Sequence, residues 1–165
     1  MKTAIVYYSM LGNTKYVAET IYDELKKSGE NIDIIEIKPE KAYPSKGAKK
    51  FIWGGKSAVM GETPKLMPYK FNAEDYDRII IGTPVWASTF TPPIKTFLKE
   101  NSDISGKKIS VFVSFSGGGA DKTIEKLKKY IGVEELESEL ILIDPNDNKK
   151  AEDILKISDF CSKLK

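Results

Sequence analysis

Three short stretches hold the residue types that chemistry needs, and none of them is an acid–base or nucleophilic constellation. The first is Ser9-Met10-Leu11-Gly12-Asn13-Thr14, which runs directly into a helical pattern. A hydroxyl at each end, one glycine and a helix start let backbone N–H groups, Ser9 and Thr14 converge on a single anion, aided by the helix dipole. A phosphate suits such a cradle. The plainer alternative is a helix cap at Asn13 or Thr14 with a tight turn at Gly12. The loop has neither the Gly-Lys-Ser/Thr of a nucleoside-triphosphate loop nor the three-glycine dinucleotide fingerprint. The second stretch, Gly82 to Pro93, contains Thr83, Pro84, Val85, Trp86 and Ala87. A tryptophan on a loop stiffened by Pro84 either meets a flat ligand or is buried under a neighbouring segment. The third, Ser114-Phe115-Ser116-Gly117-Gly118-Gly119, sets three glycines in a row, where backbone can approach a ligand closely or a loop can simply stay mobile.

What the sequence lacks narrows the chemistry further. There is no histidine and one cysteine, Cys161, so the commonest general base and metal ligand are missing and neither an internal disulfide nor a zinc cluster can form. Cys161 reads as a small packed hydrophobe on the last helix. Twenty-six basic residues against twenty-four acidic ones give a net charge of +2, too balanced for a nucleic-acid partner. No apolar run approaches the roughly 20 residues of a membrane span. The opening Met1-Lys2-Thr3 leads straight into an apolar run with no signal-peptide pattern, so a cytoplasmic location is expected. The charge is unevenly spread: Ser45 to Lys70 contains lysines 46, 49, 50, 56, 65 and 70 and one acid, Glu62.

The elements that must position the three loops follow from periodicity. Apolar β-branched runs predict strands over Thr3–Tyr8, Ile32–Ile37, Tyr76–Ile81, Lys108–Phe115 and Glu139–Ile143, the second nearer an edge because Pro39 closes it. Helical spacing predicts helices over Thr14–Lys27, Ile94–Glu100, Asp121–Tyr130 and Lys149–Lys163, with a short one across Lys49–Met60. Regular alternation with short connections predicts an α/β fold. Its form is a doubly wound five-stranded parallel sheet of order 2-1-3-4-5, with helices on both faces. Residues 1–165 are expected to form a single domain, with an insertion at about 42–71 packed against it. In such a sheet ligands bind beyond the carboxyl ends of the strands, where all three loops fall.

Tyr7-Tyr8-Ser9-Met10-Leu11-Gly12-Asn13-Thr14, with Gly82-Thr83-Pro84-Val85-Trp86 and Ser114-Phe115-Ser116-Gly117-Gly118-Gly119, resembles the flavodoxin family in its broad sense, including flavodoxin-like reductases. The resemblance covers nearly the whole chain. It implies noncovalent FMN, with its phosphate on Ser9 to Thr14 and its isoalloxazine ring between the loops that start at Thr83 and Ser114. The family pattern of the first loop is Ser/Thr, any residue, Thr, Gly, any residue, Thr; here Leu11 stands at the middle threonine and one side-chain donor is missing. Many flavodoxins place an aromatic residue on the fourth-strand loop. This chain has glycines there, which leaves Trp86 as the stacking partner.

On this resemblance the protein is an electron carrier between redox partner proteins, or an NAD(P)H-dependent reductase of a quinone or similar acceptor. The cofactor carries the chemistry, so no catalytic side chain and no metal are expected. Lysines 46, 49, 50 and 56 either attract the phosphates of NAD(P)H or form a solvated helix face. The carrier ranks ahead because the sequence has no recognisable nicotinamide site, and the oligomeric state is left open. A phosphoacceptor signalling domain of the same topology is disfavoured, since it needs clustered aspartates where Ser9 and Gly82 stand.

Overall fold

The runs at Thr3–Tyr8, Tyr76–Ile81 and Lys108–Phe115 leave no polar face for water and become strands covered on both sides, while those at Ile32–Ile37 and Glu139–Ile143 become partly exposed strands. In the computed structural model β1 (Lys2–Tyr7), β2 (Asn31–Glu36), β3 (Arg78–Pro84), β4 (Lys108–Phe115) and β5 (Ser138–Ile143) form one parallel sheet of order β2-β1-β3-β4-β5. The structure describes residues 1–44 and 49–164, with the side chains of residues 49–53 and 148 outside that description. Parallel pairing demands crossovers, and these hold α1 (Asn13–Lys27), α2 (Lys49–Val59), α3 (Pro92–Glu100) and α4 (Ala120–Ile131); the short α5 (Pro145–Asn148) and α6 (Ala151–Ser162) follow the last strand. No helix among the described residues is long and apolar enough to cross a membrane.

Strand alternation divides the core in two. Ala4, Val6, Ile79, Ile81 and Val111 pack with Ile94 and Phe97 of α3 and Ile124 and Leu127 of α4. Ile5, Ile80, Phe112 and Leu142 pack with Val17 and Ile21 of α1 and with Ile157, Phe160 and Cys161 of α6. Cys161 is buried, as its small apolar character suggests. The register sets Tyr7 beside Gly82, Pro84 beside Ser114 and Phe115 beside Ile143, so the loops after β1, β3, β4 and β5 leave the sheet along one edge. Strand order reverses between β1 and β3, and the crevice opens there.

The segment between β2 and β3 lies against α3. Thr96 Oγ1 donates to the Pro64 carbonyl at 2.9 Å, Lys95 Nζ donates to the Gly61 carbonyl at 2.9 Å, and Leu66 bridges back to Pro39. Tyr43, Tyr69 and Phe71 complete the core on that side. One expected element is corrected. The helix anticipated over Lys149–Lys163 begins at Ala151, because Pro145 starts a separate turn that the Lys149 N–H closes onto the Pro145 carbonyl at 3.0 Å. Lys149 then takes a left-handed φ of 41°, which no helix continues through.

Candidate functional site

Gly12 is the N-cap of α1, with φ 96°, and no side chain caps the helix. The two cap candidates, Asn13 and Thr14, are otherwise engaged. Asn13 Oδ1 accepts from the Asn146 backbone N–H at 2.9 Å, and Thr14 Oγ1 shares a hydrogen bond of 2.8 Å with Ser114 Oγ. The Gly12 N–H is turned to Ser9 Oγ at 3.2 Å, and the first intrahelical bond runs from the Tyr16 N–H to the Gly12 carbonyl. The N–H groups of Asn13, Thr14 and Lys15 therefore point out of the helix with no intrahelical partner, and the first turn holds no acid. Their field favours an anion. Asn146 also brings its side-chain amide close, since a Cβ on Gly12 would sit 3.5 Å from Asn146 Nδ2.

The loop after β3 makes a two-residue reversal. The Trp86 N–H donates to the Thr89 carbonyl at 2.9 Å and the Thr89 N–H to the Trp86 carbonyl at 3.1 Å, while Ala87 and Ser88 take φ values of 50° and 56°. Two left-handed non-glycine residues in succession store strain of about 1–3 kcal/mol each, and such strain concentrates at ligand clamps. Lys126 Nζ holds the turn by donating to the Ser88 carbonyl at 2.8 Å. Trp86 itself is only 9% exposed. Tyr8 and Tyr43 meet its ring edge-on at 5.8 and 5.1 Å, and Gly54 of α2 lies over the indole so closely that a Cβ would come within 3.2 Å of it. Burial pushes the Tyr8 hydroxyl well up, with Tyr43 and Glu36 adding to it. Burial and the nearby Glu62 push Tyr43 up to about 12, against a hydrogen bond to Ser57. The aromatic wall behind Trp86 is thus uncharged at neutral pH.

Between these loops lies a cavity of about 250 Å³. Ser9, Met10, Leu11, Asn13 and Thr14 enter it from the first loop, Pro84, Val85, Trp86 and Ala87 from the second, and Ser114, Phe115, Ser116, Gly117 and Gly118 from the third. Three residues anticipated for the site do not line it. Thr83 is fully buried, its hydroxyl bonded to Thr91 Oγ1 at 3.1 Å and to the Pro84 carbonyl at 3.0 Å, so it fixes the base of the loop. Gly12 and Gly119 act through the backbone as the left-handed N-caps of α1 and α4.

The family model for flavodoxin matches residues 2–154. The chain belongs to the flavodoxin family. A flavoprotein from Lactobacillus acidophilus, crystallised in complex with FMN, superposes with a TM-score of 0.70 at 25% identity, covering 92% of this chain and 98% of its own. Two flavodoxins share the fold at lower identity. The two-electron reduced Megasphaera elsdenii protein gives a TM-score of 0.64 at 19% identity, over 98% of this chain and 99% of its own. Oxidised Flavodoxin 2 from Bacillus cereus gives 0.60 at 21%, over 99% and 97%.

Within this flavodoxin-family site, Leu11, at the position of the pattern's middle threonine, is half-exposed at the cavity rim. Gly55 of α2 lines the cavity and was not singled out in the sequence. The loop after β5 adds Asn146 at the cradle, and it adds Asp144, whose Oδ1 accepts from Ser116 Oγ and ties down the third loop. The only signal for that loop was its place at the end of the last strand. Of the lysines considered for NAD(P)H, Lys46 and the side chains of Lys49 and Lys50 lie outside the described residues. Lys56 is exposed and does not line the cavity.

Proposed function

We propose that this chain binds FMN noncovalently in the 250 Å³ cavity and carries electrons between redox partner proteins in the cytoplasm, with residues 1–165 acting as one domain. The observation that carries the reading is the start of α1. Its outward N–H groups, free of any side-chain cap, open onto a cavity walled by the loops of β1, β3 and β4. These residues fit the group. The N–H groups of Asn13, Thr14 and Lys15, with the Ser9 hydroxyl and the Asn146 amide, form a phosphate cradle of neutral donors and helix dipole. Trp86, Pro84 and the Gly117–Gly118 backbone provide a flat, largely apolar slot for a ring.

FMN, when bound, supplies the electron-transfer chemistry. The chain's own residues orient and shield it. The Thr14–Ser114 hydrogen bond and the Val85 N–H, which donates to the Ser114 carbonyl at 3.0 Å, lock the three loops to one another. Lys126 fixes the carbonyl of Ser88 at the rim. Among the described residues no acid or lysine side chain lines the cavity. Lys56, the one lysine of those weighed for NAD(P)H whose side chain is described, lies outside the cavity, which supports the carrier reading. The test is to release the cofactor from the purified protein and identify it by mass and absorbance. One FMN per chain is expected; a colourless protein that takes up no FMN would sink the reading.

A further inference from the structure

A second cavity, of about 430 Å³, adjoins the first. The flavin cavity takes Trp86 and Ala87 from the strained turn and the second takes Thr89, with Ser88 between them. Lys95 of α3 and Lys126 and Lys129 of α4 converge on this second cavity, opposed by one carboxylate, Glu62. Among the described residues none of the three ammonium groups is ion-paired. Two of them are held in place by backbone carbonyls: Lys95 by Gly61 and Lys126 by Ser88. An ammonium has three N–H donors, so each keeps donors for a ligand. Phe90 and Tyr130, with ring centroids 5.5 Å apart, add an apolar wall, and Tyr130 is 41% exposed.

We propose that this cavity binds a small organic polyanion bearing two or more phosphate or carboxylate charges, and that its occupancy is felt in the flavin site. Three converging ammonium groups against the single Glu62 carboxylate leave an excess of positive charge that a multivalent anion relieves, and compact ammonium groups suit phosphate or carboxylate oxygens. The coupling element is Lys126. An anion that draws on its ammonium weakens or redirects the bond to Ser88 that steadies the left-handed turn. By linkage, flavin binding then alters anion affinity by the same factor. The coupling, though not the anion site itself, rests on the FMN reading.

The experiment is calorimetric titration of the FMN-loaded protein with pyrophosphate and, separately, with citrate at low salt, while the flavin absorbance is followed. One-to-one binding is expected. Lys126→Gln and Lys129→Gln should each weaken it about tenfold. Lys122→Gln, on the same helix but outside the cavity, should leave it unchanged. Tighter binding of pyrophosphate than of citrate assigns a phosphorylated ligand, and the reverse order a polycarboxylate. A small flavin band shift should accompany binding and disappear in Lys126→Gln. Affinities equal in all variants, or lowered as much by Lys122→Gln, would overturn the site. Binding with no flavin response would overturn the coupling alone. Failure of the FMN reading would show separately as a colourless protein, in which the lysine dependence of the heat is still measured.

Discussion

Trp86 meets two demands at once: it closes the core beneath α2 and it forms part of the cavity wall. Of the two outcomes foreseen from its sequence context, burial beneath the insertion is the one observed, and the same ring also lines the cavity where a flat ligand was expected. Trp86→Ala should lower the unfolding free energy of the cofactor-free protein by about 3–5 kcal/mol in a urea titration, because it empties the space under Gly54. It should also weaken FMN by about 1–3 kcal/mol in a fluorescence titration. An alanine variant that binds FMN normally would remove Trp86 from the ring site. At this scale Ser9, Asn13 and Thr14 were legible from their types and from the helix start beside them. What each does was not: the Thr14 hydroxyl pairs with Ser114, one hundred positions away, and Thr83 turns inward to Thr91. Asp144 and Asn146 sit in Asp-Pro-Asn-Asp-Asn, which reads as an ordinary turn, and only the register of β5 carries them to the cradle.

Among the elements, the strands and the helices that cross between them were legible because β1, β3 and β4 are dominated by apolar runs, β2 and β5 mix apolar with charged positions, and the crossing helices are amphipathic. The α5–α6 break was not, since lysines 149 and 150 are good helix formers and the left-handed residue between the two helices has no compositional mark. Nor was the clamp at the opposite end of the sheet from the cavity. Arg78 opens β3 and is 1% exposed, with Nε and Nη2 bonded to the two Glu137 carboxylate oxygens at 2.5 and 2.7 Å, while Lys108 of β4 reaches the same carboxylate at 3.4 Å. Partial burial pushes the Glu137 carboxyl up, but Arg78 and then Lys108 outweigh it and hold it below its ordinary range. A carboxyl lowered in the folded state adds stability above its unfolded pKa and loses it as pH falls through the folded value. Glu137→Ala leaves the guanidinium buried and unpaired, and should cost about 3–5 kcal/mol in urea at pH 7. The gap between wild type and variant should narrow as pH falls below the ordinary carboxyl range of about 4, because the unfolded chain then binds a proton that the folded, ion-paired Glu137 takes up only at lower pH. A gap that does not change with pH would contradict the ionic account.

For the whole molecule, the parallel order β2-β1-β3-β4-β5 brings four loops from distant parts of the chain to one edge, and strand order reverses beside the start of α1, where no side chain caps the helix and the first turn holds no acid. The topology was readable from the alternation of elements, which handedness and parallel pairing reduce to few arrangements. The depth of the cavity was not, because it depends on how α2 lies over Trp86, a contact made possible by a missing side chain at Gly54. The two sheet faces also differ in charge: α2, α3 and α4 contain nine lysines and three acids, whereas α1 and α6 contain four lysines and six acids. The basic side is the one that holds the second cavity. The central claim, that the start of α1 holds the phosphate of FMN, is tested most directly by titrating the cofactor-free protein with FMN and with riboflavin, which lacks the phosphate. Several charge-assisted hydrogen bonds predict FMN tighter by about a hundredfold or more, with Gly12→Val removing most of that difference because valine cannot hold a φ of 96°. Equal affinities for the two flavins in the wild-type protein would contradict it.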